Sequence, residues 1–454
     1  MRTESSDVLV VGAGIVGIAT AYYLKKLDPN CSVILIDAGQ PMALTSAQSG
    51  ENYRNWWPHP VMSNFTDRSI DLMEQIAAAT DNRINLTRRG YVLATRNSEP
   101  DELLAELEYG YSNAPTGSIR CHTQPSSRTY CHPTTCTWQN APAGVDILSN
   151  SSLIQKTFPS YDRSVETLIH VRRAGSVDSQ QLGQYMLESF TTANGIRLSG
   201  KVTHIDTHDG FDVYFGNEEF RIKSDRLVNA AGPFVNEIAG MLGTELPVTH
   251  TLQQKIAFED KACVIPRAMP FSIDLDAQLI DWSDDERSLL LEDAVNKRYG
   301  VEMPGAIHCR PDGGDNGNWV KLGWAFNNAM ATPQLSPELN EEFPEIVLRG
   351  AARLNPALKA YYGTLPRNTR HYGGFYTLTD ENWPLVGPMS IDDSYVVGAL
   401  SGFGTMAACA SGELCAQHVL DKERPDYAFA LSPQRYSDSN FMHEVRALSS
   451  RGIL

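Results

Sequence analysis

Four residues near the N-terminus have types and spacing that suit one kind of chemistry. Gly12, Gly14 and Gly17 form G-x-G-x-x-G directly after the apolar run DVLVV, and Asp37 closes a second such run, SVILID. In that pattern Gly12 permits a tight turn, Gly14 lets backbone N–H groups approach a diphosphate, and Gly17 lets a helix pack closely on a strand. The diphosphate then lies at the positive end of the helix, and the acidic side chain accepts hydrogen bonds from an adenosine ribose. A glycine triplet alone is common; with strand, helix and acid in place it points to a cofactor carrying an ADP moiety.

Other stretches suit charge recognition. In NWVKLGWAF, residues 318–326, strand alternation puts Trp319, Lys321, Gly323 and Ala325 on one face and Val320, Leu322, Trp324 and Phe326 on the other. Lys321 then faces either water or a cavity. SAQSGENYRNWWPHP contains Arg54, whose planar guanidinium matches a carboxylate through two parallel hydrogen bonds, or else sits on a polar loop. Trp56 and Trp57 either wall an apolar pocket or simply pack, and His59 reads as a solvated loop histidine. Cys121, His122, Cys131, His132 and Cys136 fall within CHTQPSSRTYCHPTTC, whose spacing fits no common zinc pattern; a Ser/Thr/Pro-rich surface excursion without metal is expected.

These residues need elements to hold them. DVLVVGAGIVGIATAYYLKKL followed by SVILIDAG reads as a βαβ unit, the building block of a parallel sheet covered by helices. Similar runs recur far away at RLVNAAGPFV and SYVVGALSGFG, the latter setting Gly402 and Gly404 between a buried strand and a helix. A second helix start opposite the first would direct N–H groups at a ring that gains negative charge on reduction, which with the N-terminal fingerprint favours FAD over NAD. Between these runs, PDGGDNGNWVKLGW reads as a turn feeding a hairpin of a mostly antiparallel sheet. The expected fold is α/β: a Rossmann-like FAD-binding domain from residues 1–89, 145–240 and 373–454, and an α+β substrate domain from residues 90–144 and 241–372.

Composition narrows the partners. The 454 residues exceed what one core usually serves, and a net charge of −16 argues against nucleic acid or an anionic membrane. Eight cysteines without a secretion signal read as reduced thiols. No apolar run approaches the length that crosses a bilayer, and a strand-like segment begins too early for a signal peptide, so a cytoplasmic enzyme is expected.

In the order of VVGAGIVGIATAYYL, LIDAG, RLVNAAGPFV, PLVGP and SGFGTMAACASGE, the chain resembles the FAD-dependent amino-acid and amine oxidases of the D-amino-acid oxidase type, in particular the sarcosine oxidase and glycine oxidase branch. The resemblance implies that Ile15, Val16, Ala38, Ser46, Ser49, Gly50, Val202, Ala230, Ala231, Gly232, Thr405 and Met406 join the glycines and Asp37 around FAD. It implies that Lys321 reaches through a water toward the flavin N5 position and favours electron transfer to molecular oxygen, that Arg54 binds a substrate carboxylate, and that Tyr376 lines the substrate site. Gly374 stands where relatives carry a cysteine joined to the flavin, so noncovalent FAD is implied. Met406 replaces a second carboxylate-binding lysine, and Trp324 and Ala325 replace an aromatic and a histidine, which implies a larger, more apolar pocket. The expected activity is oxidation of an amino acid or secondary amine to an imine with release of hydrogen peroxide; the alternative is a dehydrogenase passing electrons to a carrier protein or quinone.

Overall fold

The computed structural model of the chain describes residues 2–216, 219–314 and 316–448. The first apolar run forms the strand Arg2–Val11, in which Val8, Leu9 and Val10 have no exposed surface. It pairs in parallel with Val33–Asp37 on one side and Phe220–Asn229 on the other. Ile196–Ser199 closes one edge. On the other side Phe220–Asn229 is shared: its first half pairs antiparallel with Phe211–Phe215, and its end pairs in parallel with Ser394–Gly398. A strand buried on both faces carries continuous aliphatics, as VLVV and VILI do here.

Two helices cover this sheet and begin at the same place. Ile15–Leu27 follows the glycine turn and Gly404–Val419 follows Ser394–Gly398. They cross closely because the contact is built from small residues: a Cβ on Gly412 would lie 2.6 Å from the Ala19 backbone.

The second sheet has nine strands. Its order runs from Arg370–Leu378 through Thr249–Glu259, Trp319–Gly323, Ile307–Asp312, Phe271–Asp274, Tyr91–Thr95, Thr167–Val171 and Val145–Leu148 to Ile119–His122. Only the pairs Phe271–Asp274 with Tyr91–Thr95 and Ile119–His122 with Val145–Leu148 are parallel, so the sheet is mostly antiparallel. Alternation sorts its faces. Ile256, Phe258, Val320 and Leu322 are fully buried in a core that includes Ile346 and Val347 of the helix Phe343–Ala351. The intervening residues, Lys255, Ala257, Lys321 and Gly323, lie on the opposite face.

The expected division of the chain shifts at two points. Val145–Leu148 and Thr167–Val171, inside the stretch 145–240 assigned to the cofactor unit, pair in the nine-stranded sheet, and Arg370–Leu378 carries that sheet past residue 372. A short apolar run announces a buried strand but carries no mark of which sheet it joins. No helix among the described residues is long and apolar enough to cross a membrane.

Candidate active site

The glycine turn is fixed by packing at two of its three positions. Gly12 has a φ of +110°, and a Cβ there would lie 2.3 Å from the Ala230 carbonyl oxygen. A Cβ on Gly17 would lie 1.9 Å from the Gly12 carbonyl oxygen, so the first helical turn sits directly on the strand end. Gly14 differs: its nearest neighbour would be Ser46 Oγ at 3.3 Å, and it borders a cavity of about 480 Å³. Asp37 braces the turn, accepting from Ala13 N at 2.6 Å and from Gly39 N at 2.7 Å, while Ser46 Oγ accepts from Ile15 N at 3.0 Å.

The cavity runs between the two sheets. Gly12, Gly14, Ile15 and Val16 border it, as do Asp37, Ala38, Ser46, Ser49 and Gly50 from the second strand and its loop. Val202, Ala230, Ala231 and Gly232 close one side, and Gly402, Gly404, Thr405 and Tyr376 the far end. Gly17 lies behind the cavity, in helix packing, and Met406, 6% exposed, belongs to the core around the helices. At the far end Ala399 and Ser401 adopt left-handed φ values of 54° and 44°, which cost energy in residues with side chains and persist where surroundings impose them. Ser401 N donates to Thr377 O at 2.9 Å, and the Thr405 and Ser49 hydroxyls lie 2.8 Å apart, tying the second helix start to the loop after the second strand.

These residues fit FAD. Two helix N-termini open on one cavity, one behind a turn only glycine can make, which is the donor set a diphosphate and a reducible ring require. Among the described residues no cysteine or histidine lines the cavity, and Gly374 faces Gln48 and Thr45.

The polar face of the nine-stranded sheet carries the exposed Arg370 opposite Ala257 and three more enclosed cations with different surroundings. Lys321 Nζ donates to Glu51 Oε2 and lies 3.4 Å from Asp312 Oδ2. Arg310 lies 3.1 Å from Glu51 and 2.9 Å from Asp312, and donates to Gly50 O at 3.0 Å. Burial pushes the Asp312 carboxyl up, but Arg310 and Lys321 outweigh it and hold it below the usual carboxylate range. Two cations and two carboxylates therefore form a balanced cluster, and Lys321 does not border the cavity. Lys255 does: it is 7% exposed, and its ammonium lies 3.4 Å from Tyr376 Oη. Beside it His308 is pushed down to about 3, chiefly by burial and then by the Lys255 charge.

Arg54 is 2% exposed and does not border the cavity. Its Nε donates to Trp56 O at 3.0 Å, and its guanidinium carbon lies 5.5, 5.1 and 5.0 Å from the ring centroids of Trp56, Trp57 and Tyr91. Trp57 in turn meets Phe403 edge-on at 4.8 Å, beside the second helix start. His59, read as a solvated loop histidine, instead caps the helix Pro60–Ala79, and burial pushes it down to about 4. In the cysteine-rich excursion the Cys131 and Cys136 sulfurs are 3.3 Å apart; no three His, Cys, Asp or Glu side chains converge as metal ligands among the described residues. Sequence reasoning missed Glu51, Lys255, Arg310 and Asp312. The one available signal was alternation in Thr249–Glu259, which separates Lys255 from Ile256 and Phe258 just as it separates Lys321 from Leu322.

Known proteins resemble the chain in sequence and in fold. L-2-hydroxyglutarate dehydrogenase of Indibacter alkaliphilus is 24% identical over 241 residues, 52% of each chain. Dimethylglycine dehydrogenase, mitochondrial, of Homo sapiens is 20% identical over 441 residues, 95% of this chain and 44% of that protein. The chain thus spans about half the length of the curated relatives it matches. Among solved structures, L-proline dehydrogenase from P. horikoshii superposes with a TM-score of 0.72 at 17% identity, covering 96% of this chain and 99% of that one. Glycine oxidase from Geobacillus kaustophilus gives 0.68 at 14%, covering 94% and 99%. The family model described as FAD dependent oxidoreductase (DAO) matches residues 7–418, and the chain belongs to that family.

Proposed function

We propose that the chain oxidises a carbon–nitrogen bond of an amino acid or secondary amine, with molecular oxygen as electron acceptor and hydrogen peroxide as second product. The observation that carries this reading is the composition of the far end of the cavity. Gly374, Phe375, Tyr376, Thr377, Lys255 and Leu335 border it there and include no carboxylate, so a neutral amine is not drawn into an ion pair that would hold it protonated. FAD, held without a covalent bond, would supply a hydride acceptor for the carbon next to nitrogen, and water would hydrolyse the imine product. The helix start at Gly404 borders the cavity, where its N–H groups would stabilise negative charge on a reduced ring. Arg54, caged by Trp56, Trp57 and Tyr91, acts here as a positioning residue for the apolar wall. The names of three of the four relatives, a dimethylglycine dehydrogenase, an L-proline dehydrogenase and a glycine oxidase, support a nitrogen-bearing substrate.

Anaerobic mixing with amino acids, N-alkylglycines and alkylamines should bleach the flavin with at least one of them, and air should then release peroxide. Flavin that no amine bleaches would end the reading, and the 2-hydroxyglutarate relative adds 2-hydroxy acids to the same screen. The resemblance implies oxygen activation for Lys321, which here lies outside the cavity and is paired with Glu51 and Asp312, so the role requires that ion pairing to loosen when the cofactor is bound. Lys321→Met should slow reoxidation by oxygen about tenfold or more and leave anaerobic reduction nearly unchanged. Equal effects on both steps would remove that role.

A second reading is a dehydrogenase serving a carrier protein or quinone. It is favoured by the pairing of Lys321 with Glu51 and Asp312, since a cation balanced by carboxylates exerts little field on an anion forming from oxygen. It predicts slow air reoxidation in the parent protein and no change in Lys321→Met.

A further inference from the structure

We propose that Lys255 anchors a carboxylate of the substrate, which narrows the substrate class to amines bearing a carboxylate. The inference rests on the amine-oxidation reading but is carried by a separate observation. Of the three enclosed cations on this sheet face, Arg310 and Lys321 share Glu51 and Asp312. The Lys255 ammonium has no carboxylate within 4.0 Å among the described residues, and its side-chain hydrogen bond goes to a neutral phenol, Tyr376 Oη at 3.4 Å. A cation more than nine-tenths buried is costly unless an anion or several dipoles meet it. Lys255 borders the cavity, so the anion that completes it arrives with the ligand.

The surroundings are built for this side chain. Lys255 pairs across the sheet with Gly323, where a Cβ would lie 3.1 Å from Lys255 Cγ and 2.3 Å from His308 Nε2; only glycine leaves room for both. Tyr376, accepting from Lys255, keeps its own O–H free to donate to a second carboxylate oxygen. Its ring lies against Gly402, where a Cβ would be 2.6 Å from the nearest ring carbon, so the glycine-rich turn also sets the height of the phenol. His308, pushed far below its ordinary value, stays neutral and does not compete as an anion partner. An ammonium and a hydroxyl side by side, facing an otherwise apolar end, select a carboxylate and leave the amine end of the molecule toward the cofactor.

The test uses the flavin-loaded enzyme and benzoate, a carboxylate with no amine to oxidise. Benzoate should perturb the flavin absorbance saturably, Lys255→Met should weaken its Kd about tenfold or more, and Lys255→Arg should stay within about threefold of the parent. In turnover, Lys255→Met should raise KM for an N-alkylglycine about tenfold with kcat little changed, and leave an alkylamine lacking a carboxylate unaffected. Unchanged benzoate affinity in Lys255→Met overturns the proposal. So does slowed air reoxidation with unchanged affinity, which would assign the ammonium to oxygen, or loss of benzoate binding in Arg54→Lys but not in Lys255→Met. If benzoate binds through Lys255 and no amine bleaches the flavin, the anchor stands and amine oxidation falls. If alkylamines bleach the flavin and no carboxylate binds, the anchor falls and amine oxidation stands.

Discussion

Gly17 has no room for a methyl group and Gly14 has a little, and this difference separates two roles within one motif. A Cβ on Gly17 would collide with the Gly12 carbonyl oxygen at 1.9 Å, so Gly17→Ala must push the helix Ile15–Leu27 off the strand. Overpacking of this kind costs about 1–3 kcal/mol. Gly14→Ala meets only Ser46 Oγ at 3.3 Å but narrows the approach to the cavity. Gly17→Ala should therefore lower both the melting temperature and the flavin content, whereas Gly14→Ala should keep its melting temperature and bind FAD about tenfold more weakly. Absorbance ratios and thermal melts of the two variants check this; equal melting temperatures would show that the motif is not divided. The triplet was legible in the sequence because its logic is local: three spacings, a turn and a helix. Lys255 and Glu51 were not, because what defines them is a partner far away. Glu51 meets Arg310 across 259 residues and Lys321 across 270, and no local spacing encodes such a meeting.

At the level of the strand, Trp319–Gly323 sends neighbouring residues to environments with nothing in common. Leu322 is fully buried with Ile256, Phe258 and Trp324, while Lys321 joins the charge cluster on the other face. Leu322→Ala should cost about 2–5 kcal/mol, read as a lower denaturant midpoint, with the flavin spectrum of the folded protein unchanged. A midpoint within experimental error of the parent would mean that this face is not core. Alternation alone foresees both faces, and it does so for any strand half-buried in a mixed sheet. It does not foresee which of two sheets a strand enters. Val145–Leu148, an aliphatic strand interrupted by Asp146, carries no local mark of its sheet, and its place beside Thr167–Val171 follows from chain tracing and layer packing rather than composition.

Across the whole molecule, burial holds six histidines below their ordinary value of 6.5; besides His170, His250 and His371 these are His59 at about 4, His418 at about 4 and His308 at about 3. They lie in different places, at a helix start, near a helix end and in the nine-stranded sheet. A base whose folded-state pKa is depressed takes up protons more readily when unfolded. Its stabilising contribution is complete above about 6.5 and is lost as pH falls through that value toward 3 to 4. The melting temperature should decline between pH 6.5 and 4, and His308→Asn should decline less steeply over that interval. Parallel curves for variant and parent would refute the contribution of His308.

The two helix starts that face the cavity come from opposite ends of the polypeptide. A ribosome adds Thr405 to the chain 393 residues after Gly12. At about 5–20 residues per second, that interval is roughly 20 to 80 seconds. During it the first glycine turn exists without its counterpart, and the aliphatic strands around it wait for half of their cover. A complete cavity therefore exists only after the helix that begins at Gly404 has been made, and cofactor capture by both helix starts comes late in biosynthesis.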